Sequence, residues 1–387
     1  MRQSVLHHLL SGDYPRSPIL TVVLIAIVTA LAGAPFLFPG TIAYRTVSDI
    51  CIFLVLAASY DLLLGYTAIV SFAHTMFFGI GAYGVAIVLQ HLAPGWGAVL
   101  LGVAAALLFS LSMALVISFF SLRVQTIFFA MVTLAVASAF AIVVSKLYTL
   151  TGGEDGLTFS VPALISPAFQ GAALKGFDIL QWLLAPLQPP SGSVFTVHFG
   201  GATIMYYAVF FCSLALFLLM LRMMNSPFGR VLQAIRENAF RAEALGYRTV
   251  YYRTLNTCIS ALIATLAGAL YALSLEFVST GEVLSFNLMV DILLMTVIGG
   301  MGTLYGAVIG ATLLAVANTY LEQLLHWAHG TFIGGIPLIG DLVTGDRWFF
   351  WLGLLFVLSV YFFPRGIVGE LRSSSEGNRR KRAARTA

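Results

Sequence analysis

The sequence predicts an all-α polytopic membrane protein with about ten transmembrane helices, some of them broken. Three observations carry this. Only 9% of the 387 residues are charged and 59% are hydrophobic, against roughly 25% charged in a soluble domain. The uncharged runs are also long. No Asp, Glu, Lys or Arg interrupts Ile19 to Phe38 or His91 to Leu122, and about 20 predominantly apolar residues suffice to cross a bilayer. Third, positive charge sorts to one side when the chain is threaded through a membrane. A transmembrane barrel would show alternating strands about half as long.

In order, residues 1–18 form an N-terminal segment with Arg2 and Arg16. Spans follow at about 19–39, 46–64, 67–90, 97–120, 124–147, 203–222, 255–278, 283–300, 303–325 and 348–363. The first ends in Ala32-Gly33-Ala34, which suits signal cleavage, but its full spanning length favours an uncleaved helix. The third and eighth carry glycine and polar interruptions. With a cytoplasmic N-terminus, 16 of the 20 basic residues fall inside, and Arg45, Lys146, Lys175 and Arg347 fall outside. Both termini are then cytoplasmic, and residues 19–365 form one transmembrane unit. Residues 148–202 make a long outer loop. Its stretch from Leu180 to Leu187 is apolar enough to lie on the membrane surface. Residues 366–387 read as a disordered basic cytoplasmic tail, through which anionic membrane lipid is a plausible contact.

The inner loop 225–253 gathers seven charges in a chain that avoids them: Arg230, Arg236, Glu237, Arg241, Glu243, Arg248 and Arg253. Ser226-Pro227 is a good helix start and Gly246 a good stop. Between them Val231, Ile235, Ala239 and Ala242 share one face, with Leu232 beside it. That face holds small residues, with no Trp, and Phe240 lies off it. Two readings compete: a helix lying on lipid, and a helix that docks to a cytoplasmic protein.

The chain shows no catalytic machinery of its own. A phosphate-cradling loop needs Gly-Lys-Ser/Thr, yet Lys146, Lys175 and Lys381 follow Ser145, Leu174 and Arg380. Cys51, Cys212 and Cys258 lie far apart in apolar stretches without metal-ligand spacing, and read as packed helix residues. No cofactor, metal or nucleic-acid partner is expected, and the chain is not expected to be an enzyme.

Three glycine-rich stretches remain: "GYTAIVSFAHTMFFGIGAYGVAIV" from Gly65, "TGGEDGL" from Thr151 and "GGMGTLYGAVIGA" from Gly299. With "AIRENAFRAEALGY" from Ala234, they resemble, in order, the membrane subunits of branched-chain amino acid ABC importers, the LivM type in particular. The resemblance runs from about residue 45 to 365. The chain departs from the family pattern at Asp61 and at Ser71-Phe72-Ala73-His74. The resemblance implies a permease in a bacterial inner membrane that moves a small molecule, a branched-chain or other hydrophobic amino acid. Related permeases carry urea, short amides or aromatic acids. It further implies a sister permease subunit, two cytoplasmic ABC ATPases and a periplasmic substrate-binding protein. The charged helix becomes the coupling element, through Arg230, Ala234, Arg236, Glu237, Asn238, Ala242, Glu243 and Gly246.

The residues themselves point to a translocation pathway at Asp61, Gly65, Ser71, His74, Phe78, Gly79, Gly81, Asp291, Gly299, Gly300 and Gly302. Polar groups at membrane depth face the bundle interior. Gly79, Gly81 and Gly84 permit close helix approach. Gly299, Gly300 and Gly302 are expected to break the eighth span, as glycines do near transported substrates. His74, Asp61 and Asp291 remain open between structural hydrogen bonding and substrate contact. Thr151, Gly152, Gly153, Asp155 and Gly156 form an outer turn that either lines the gate or shapes the loop. An ion-coupled transporter using Asp61, His74 and Asp291, or a subunit without transport, are the alternatives.

Overall fold

The computed structural model describes residues 18–37, 41–121, 126–169, 173–177, 194–198, 200–328, 348–362 and 366–371. The N-terminal segment, the stretch Leu180 to Leu187 and the basic tail beyond 371 lie outside the described residues. Helices dominate: α1 Pro18–Leu37, α2 Thr41–Thr67, α3 His74–His91, α4 Trp96–Ser121, α5 Thr126–Lys146 and the short α6 Tyr148–Thr151. After the outer loop come α7 Gly201–Met224, α8 Pro227–Glu237, α9 Ala239–Ala244 and α10 Thr249–Leu275. The chain ends with α11 Thr280–Val283, α12 Phe286–Gly299, α13 Leu304–Ala328, α14 Trp348–Phe362 and a helical turn at 366–371. Among the described residues, eight segments are long and apolar enough to cross a membrane. The protein is an all-α, multi-pass membrane protein.

Burial sorts these helices into layers. About two thirds of α2 and of α10 is buried, against 22% of α5 and 28% of α4. α2, α3 and α10 form the centre; α4, α7, α12 and α13 pack around them. The α3–α10 pair is the tightest. A Cβ on Gly81 would overlap the Thr265 carbonyl, and one on Gly268 would overlap that of Phe78. Glycine thus brings the two backbones together, as small residues do between membrane helices. Leu100, Leu108, Phe119, Phe128 and Ile142 on α4 and α5 are exposed, as befits surfaces that meet lipid or another membrane protein. Cys51 and Cys258 are buried, but Cys212 is exposed, so the expectation that all three are packed fails there.

Four expectations about the elements change. The third span begins later, at His74, and 68–73 is irregular chain containing Ala68 at φ 54°. The eighth span is interrupted by residues 284–285 rather than by glycine, and Ser285 accepts the Leu288 N–H at 3.1 Å to start α12. Gly300 and Gly302, at φ 118° and 81°, instead make the turn between α12 and α13. The tail is packed at its beginning: Val368 is fully buried against Leu20 and Ile309, and Gly366 lies on Gly300.

The two ends of the bundle are distinct. One gathers Gly65, Arg236, Gly302 and Gly366. At the other, β1 Leu157–Thr158 pairs antiparallel with β4 Phe277–Val278, Leu157 opposite Val278. A hairpin of β2 Ala173–Phe177 and β3 Val194–His198 belongs to the outer loop. The arginines from 222 to 253 lie at the first end, which is the end the threading makes cytoplasmic.

Candidate functional site

Along α2, consecutive polar residues address three neighbours. Ser59 donates to the Leu56 carbonyl at 2.7 Å and lies 2.8 Å from His74 Nε2. Ser59 Oγ thus lies within hydrogen-bonding reach of both the Leu56 carbonyl and His74 Nε2, and the His74 tautomer sets the direction of the second bond. His74 Nδ1 is left buried without a partner. Tyr60 stands edge-on to the His74 ring at 5.3 Å. α10 closes the seam: Ser260 donates to the Ser59 carbonyl and Asn256 Nδ2 to the Leu62 carbonyl, both at 2.6 Å. Irregular chain at membrane depth is tolerated only where protein surrounds it. At 68–73 it is surrounded: Thr133 of α5 accepts the Phe72 N–H at 3.0 Å, and Ser71 is buried.

Asp61 points to the turn between α12 and α13. It is 1% exposed, and its Oδ1 accepts the Gly302 N–H at 2.8 Å. Gly65 makes room, since a Cβ there would overlap both Asp61 Oδ1 and the Gly302 nitrogen. Gly299 is equally constrained, its missing Cβ replaced by the Gly306 carbonyl of α13.

The expected pathway residues therefore do not form one cavity. Ser71, His74 and Phe78 are buried together, with Phe78 stacked on Phe53 and tilted against Tyr271. Gly79 and Gly81 serve packing, against Leu284 and Thr265. Asp291 is elsewhere. With Asp49, Phe53, Leu288, Asn318 and Thr319 it lines a cavity of about 120 Å³ towards the outer end. Asp49 was not singled out from the sequence, although the same signal, an acid inside an apolar span, marks it as clearly as Asp61.

The charged loop differs from the expected single helix. Pro227 starts α8, but Asn238, with φ −159° and ψ 100°, ends it, and the Asn238 side chain caps α9 through the Arg241 N–H at 2.9 Å. The apolar face turns inward: Leu232, Ile235 and Ala242 are 0–2% exposed. That corrects the reading in which this face, Ala242 included, meets a partner, because α8 packs its part against α2, α7 and α10 of the same chain and α9, which carries Ala242, packs on α10. Arg236 also reaches inward, its Nη1 donating to the Gly65 carbonyl. Glu243 accepts from Thr249. Arg230, Ala234, Arg236, Glu237, Asn238, Glu243 and Gly246 all remain exposed. The sequence reading placed Phe240 off the apolar stripe and passed over Leu245 and Tyr251: Phe240 is 82% exposed, Leu245 74% and Tyr251 63%. Lack of helical periodicity hid the last two.

At the other end, Thr151 Oγ1 donates to the Val144 and Leu147 carbonyls at 2.6 and 2.9 Å. Gly152, Gly153 and Gly156 all have positive φ, and Asp155 accepts from Tyr148. These contacts shape the turn and aim β1 at β4.

Comparison with known proteins agrees with this architecture. Over 319 residues the chain is 25% identical to the high-affinity branched-chain amino acid transport system permease protein LivM of Escherichia coli, covering 82% of this chain and 72% of that one. It is 26% identical over 164 residues to a probable LivM of Methanocaldococcus jannaschii, covering 42% and 46%. It is 29% identical over 205 residues to the autoinducer 2 import system permease protein LsrC of Klebsiella pneumoniae, covering 51% and 50%. No solved structure matches. Residues 42–344 match the family described as branched-chain amino acid transport system / permease component, and the chain, a permease component of an ABC-type transporter, belongs to that family.

Proposed function

We propose that this permease imports a branched-chain or other hydrophobic amino acid, powered by ATP hydrolysis in a separate cytoplasmic subunit. The observation that carries the reading is the α8–α9 unit. It is seated on the permease by Leu232, Ile235 and Ala242 and presents Phe240, Arg230, Glu237 and Asn238 outward. A surface of one exposed aromatic ring amid mixed charge suits a protein cleft, where aromatic anchors dominate affinity. Two ATPases, a sister permease against the exposed faces of α4 and α5, and a binding protein at the outer loop complete the assembly. Both termini are cytoplasmic in this arrangement. The names of the relatives support the amino acid class.

The test is uptake of radiolabelled leucine by the reconstituted complex with and without ATP. Phe240→Ala should leave the permease folded, because the ring touches little of its own chain, and should reduce ATPase co-purification at least fivefold. Undiminished co-purification removes α9 as the docking surface. The cavity between Asp49 and Asp291 favours a second reading, ion-coupled transport. Uptake that follows a proton or sodium gradient in the absence of ATP would establish it instead.

A further inference from the structure

Arg236 occupies the last turn of α8 and is exposed, yet one nitrogen of its guanidinium reaches the backbone of its own chain. Nη1 donates to the carbonyl of Gly65. That carbonyl belongs to the last four of α2, which ends at Thr67, and such groups have no partner within their own helix. A cation there also complements the negative end of the helix dipole. Asp61 Oδ1 crowds the Cα of Gly65 and Arg236 Nη1 that of Gly302, so both side chains border the same pair of glycines. Asp61 in turn holds the Gly302 N–H at 2.8 Å. Three elements therefore meet at one point: the end of α8, the end of α2 and the turn between α12 and α13.

The glycines at this point are those that the contact requires. A Cβ on Gly302 would strike Arg236 Nη1. A Cβ on Gly65 would strike Asp61 Oδ1 and the Gly302 nitrogen together. A helix merely lying on lipid would send Arg236 to phosphates, not to a carbonyl of its own chain. One turn before Arg236, α8 is already seated by Leu232, with Ile235 beside it, both buried. Arg236 adds a second anchor, and this one reaches the turn.

We propose that Arg236 is a positioning residue that fastens α8 to the ends of α2 and of the α12–α13 turn, so that a push on α8 moves the glycine turn 299–302 as one body with it. The inference deepens the ATP-driven reading and rests on it for the source of the push. It gives Arg236, an exposed residue of this surface, a contact with its own chain through which a partner's motion is carried inward.

Two measurements test it. In the purified permease, hydrogen–deuterium exchange of the peptide covering 299–304 reads the turn directly, whatever energises transport. Arg236→Gln should raise its exchange at least tenfold, with little change across 228–234. Unchanged exchange at the turn overturns the proposal. In the reconstituted complex, the ratio of substrate taken up to ATP hydrolysed reads the coupling. Arg236→Gln and Asp61→Asn should each lower it at least fivefold while the ATPases still co-purify. Asp61→Asn keeps an acceptor for the Gly302 N–H and removes the acid. Arg236→Lys, which keeps the charge, should recover at least half of the ratio. A ratio within twofold of the parent in both charge-removing variants overturns the proposal, and so does a loss of folding common to all three. If the parent complex takes up nothing with ATP, the ATP-driven reading falls, and the exchange measurement alone decides the role of Arg236.

Discussion

Two glycine-built turns close opposite ends of this bundle, and they are held by different chemistry. At the outer end, Gly152, Gly153 and Gly156 sit at φ 67°, 62° and 80°. Backbone stands nearest two of them: a Cβ on Gly156 would meet the Val278 carbonyl, with the Phe277 ring behind it, and one on Gly152 would meet the Gly156 carbonyl, while one on Gly153 would meet the Tyr148 ring. At the inner end, Gly302 sits at φ 81°, and what fills the space of its missing Cβ is the tip of a flexible side chain, Arg236. A turn clamped by backbone cannot yield without unzipping the β1–β4 pair. The inner turn is also backed by backbone at Gly299, against the Gly306 carbonyl, but at Gly302 it is tied by one arginine and one aspartate, and there a small movement of either side chain releases it. The first suits a fixed rim, the second a part that moves.

The sharpest way to break this comparison is Gly156→Ala. A side chain at positive φ costs of order 1–3 kcal/mol, and overpacking against rigid neighbours adds about 1–3 kcal/mol. The expected loss is about 3 kcal/mol of stability, read as a fall in the thermal unfolding midpoint in detergent. Combined with Arg236→Gln, the two losses should add, because the sites lie at opposite ends and share no partner. A cost below about 1 kcal/mol would show that the outer turn yields as easily as the inner one.

Gly302→Ala is the intermediate case. The strain at φ 81° is similar, but the collision is with a guanidinium that can swing away, so about 1–2 kcal/mol is expected. The swing itself breaks the bond to Gly65. Arg236→Gln should therefore cost little more in the Gly302→Ala background than nothing, a non-additivity that neighbours sharing one contact display. Full additivity would mean that Arg236 and the turn are independent.

Much of this was legible in the sequence, for identifiable reasons. The spans were legible because lipid leaves the chain no alternative to long apolar helices, and the charged loop stood out because charge is scarce elsewhere. Ser226-Pro227 marked the start of α8 through local rules. What stayed hidden depended on tertiary contacts. The face of Ile235 and Ala242 was recognisable as a packing face, but its owner, this chain rather than a partner, was not, since small-residue faces look alike in both cases. The break at Asn238 was concealed because Asn is merely neutral in a helix until its side chain finds an N–H to cap. Gly299 to Gly302 were read as interrupting a span because periodicity does not distinguish a break within a helix from a turn between two. Asp61 and Asp291 were grouped as buried acids; only the fold separates one, bonded to a turn, from the other, lining a cavity with Asp49.

The smallest effect belongs to Gly246→Ala, and it calibrates the other two. Gly246 ends α9 at φ 92°, and a Cβ there would meet nothing within 4 Å. Backbone strain is thus the whole of its cost in the folded state. Replacing glycine also stiffens the unfolded chain, which returns about 0.4–1 kcal/mol. The net loss should lie below about 1 kcal/mol, and Gly246→Asn should lose less still, because Asn visits the left-handed region more readily than Ala. Thermal midpoints of the three alanine variants, measured in one detergent, then rank strain alone, strain with a yielding side chain, and strain with rigid backbone. If Gly246→Ala costs as much as Gly156→Ala, positive φ explains the whole series, and the distinction between a clamped outer turn and a tethered inner one disappears.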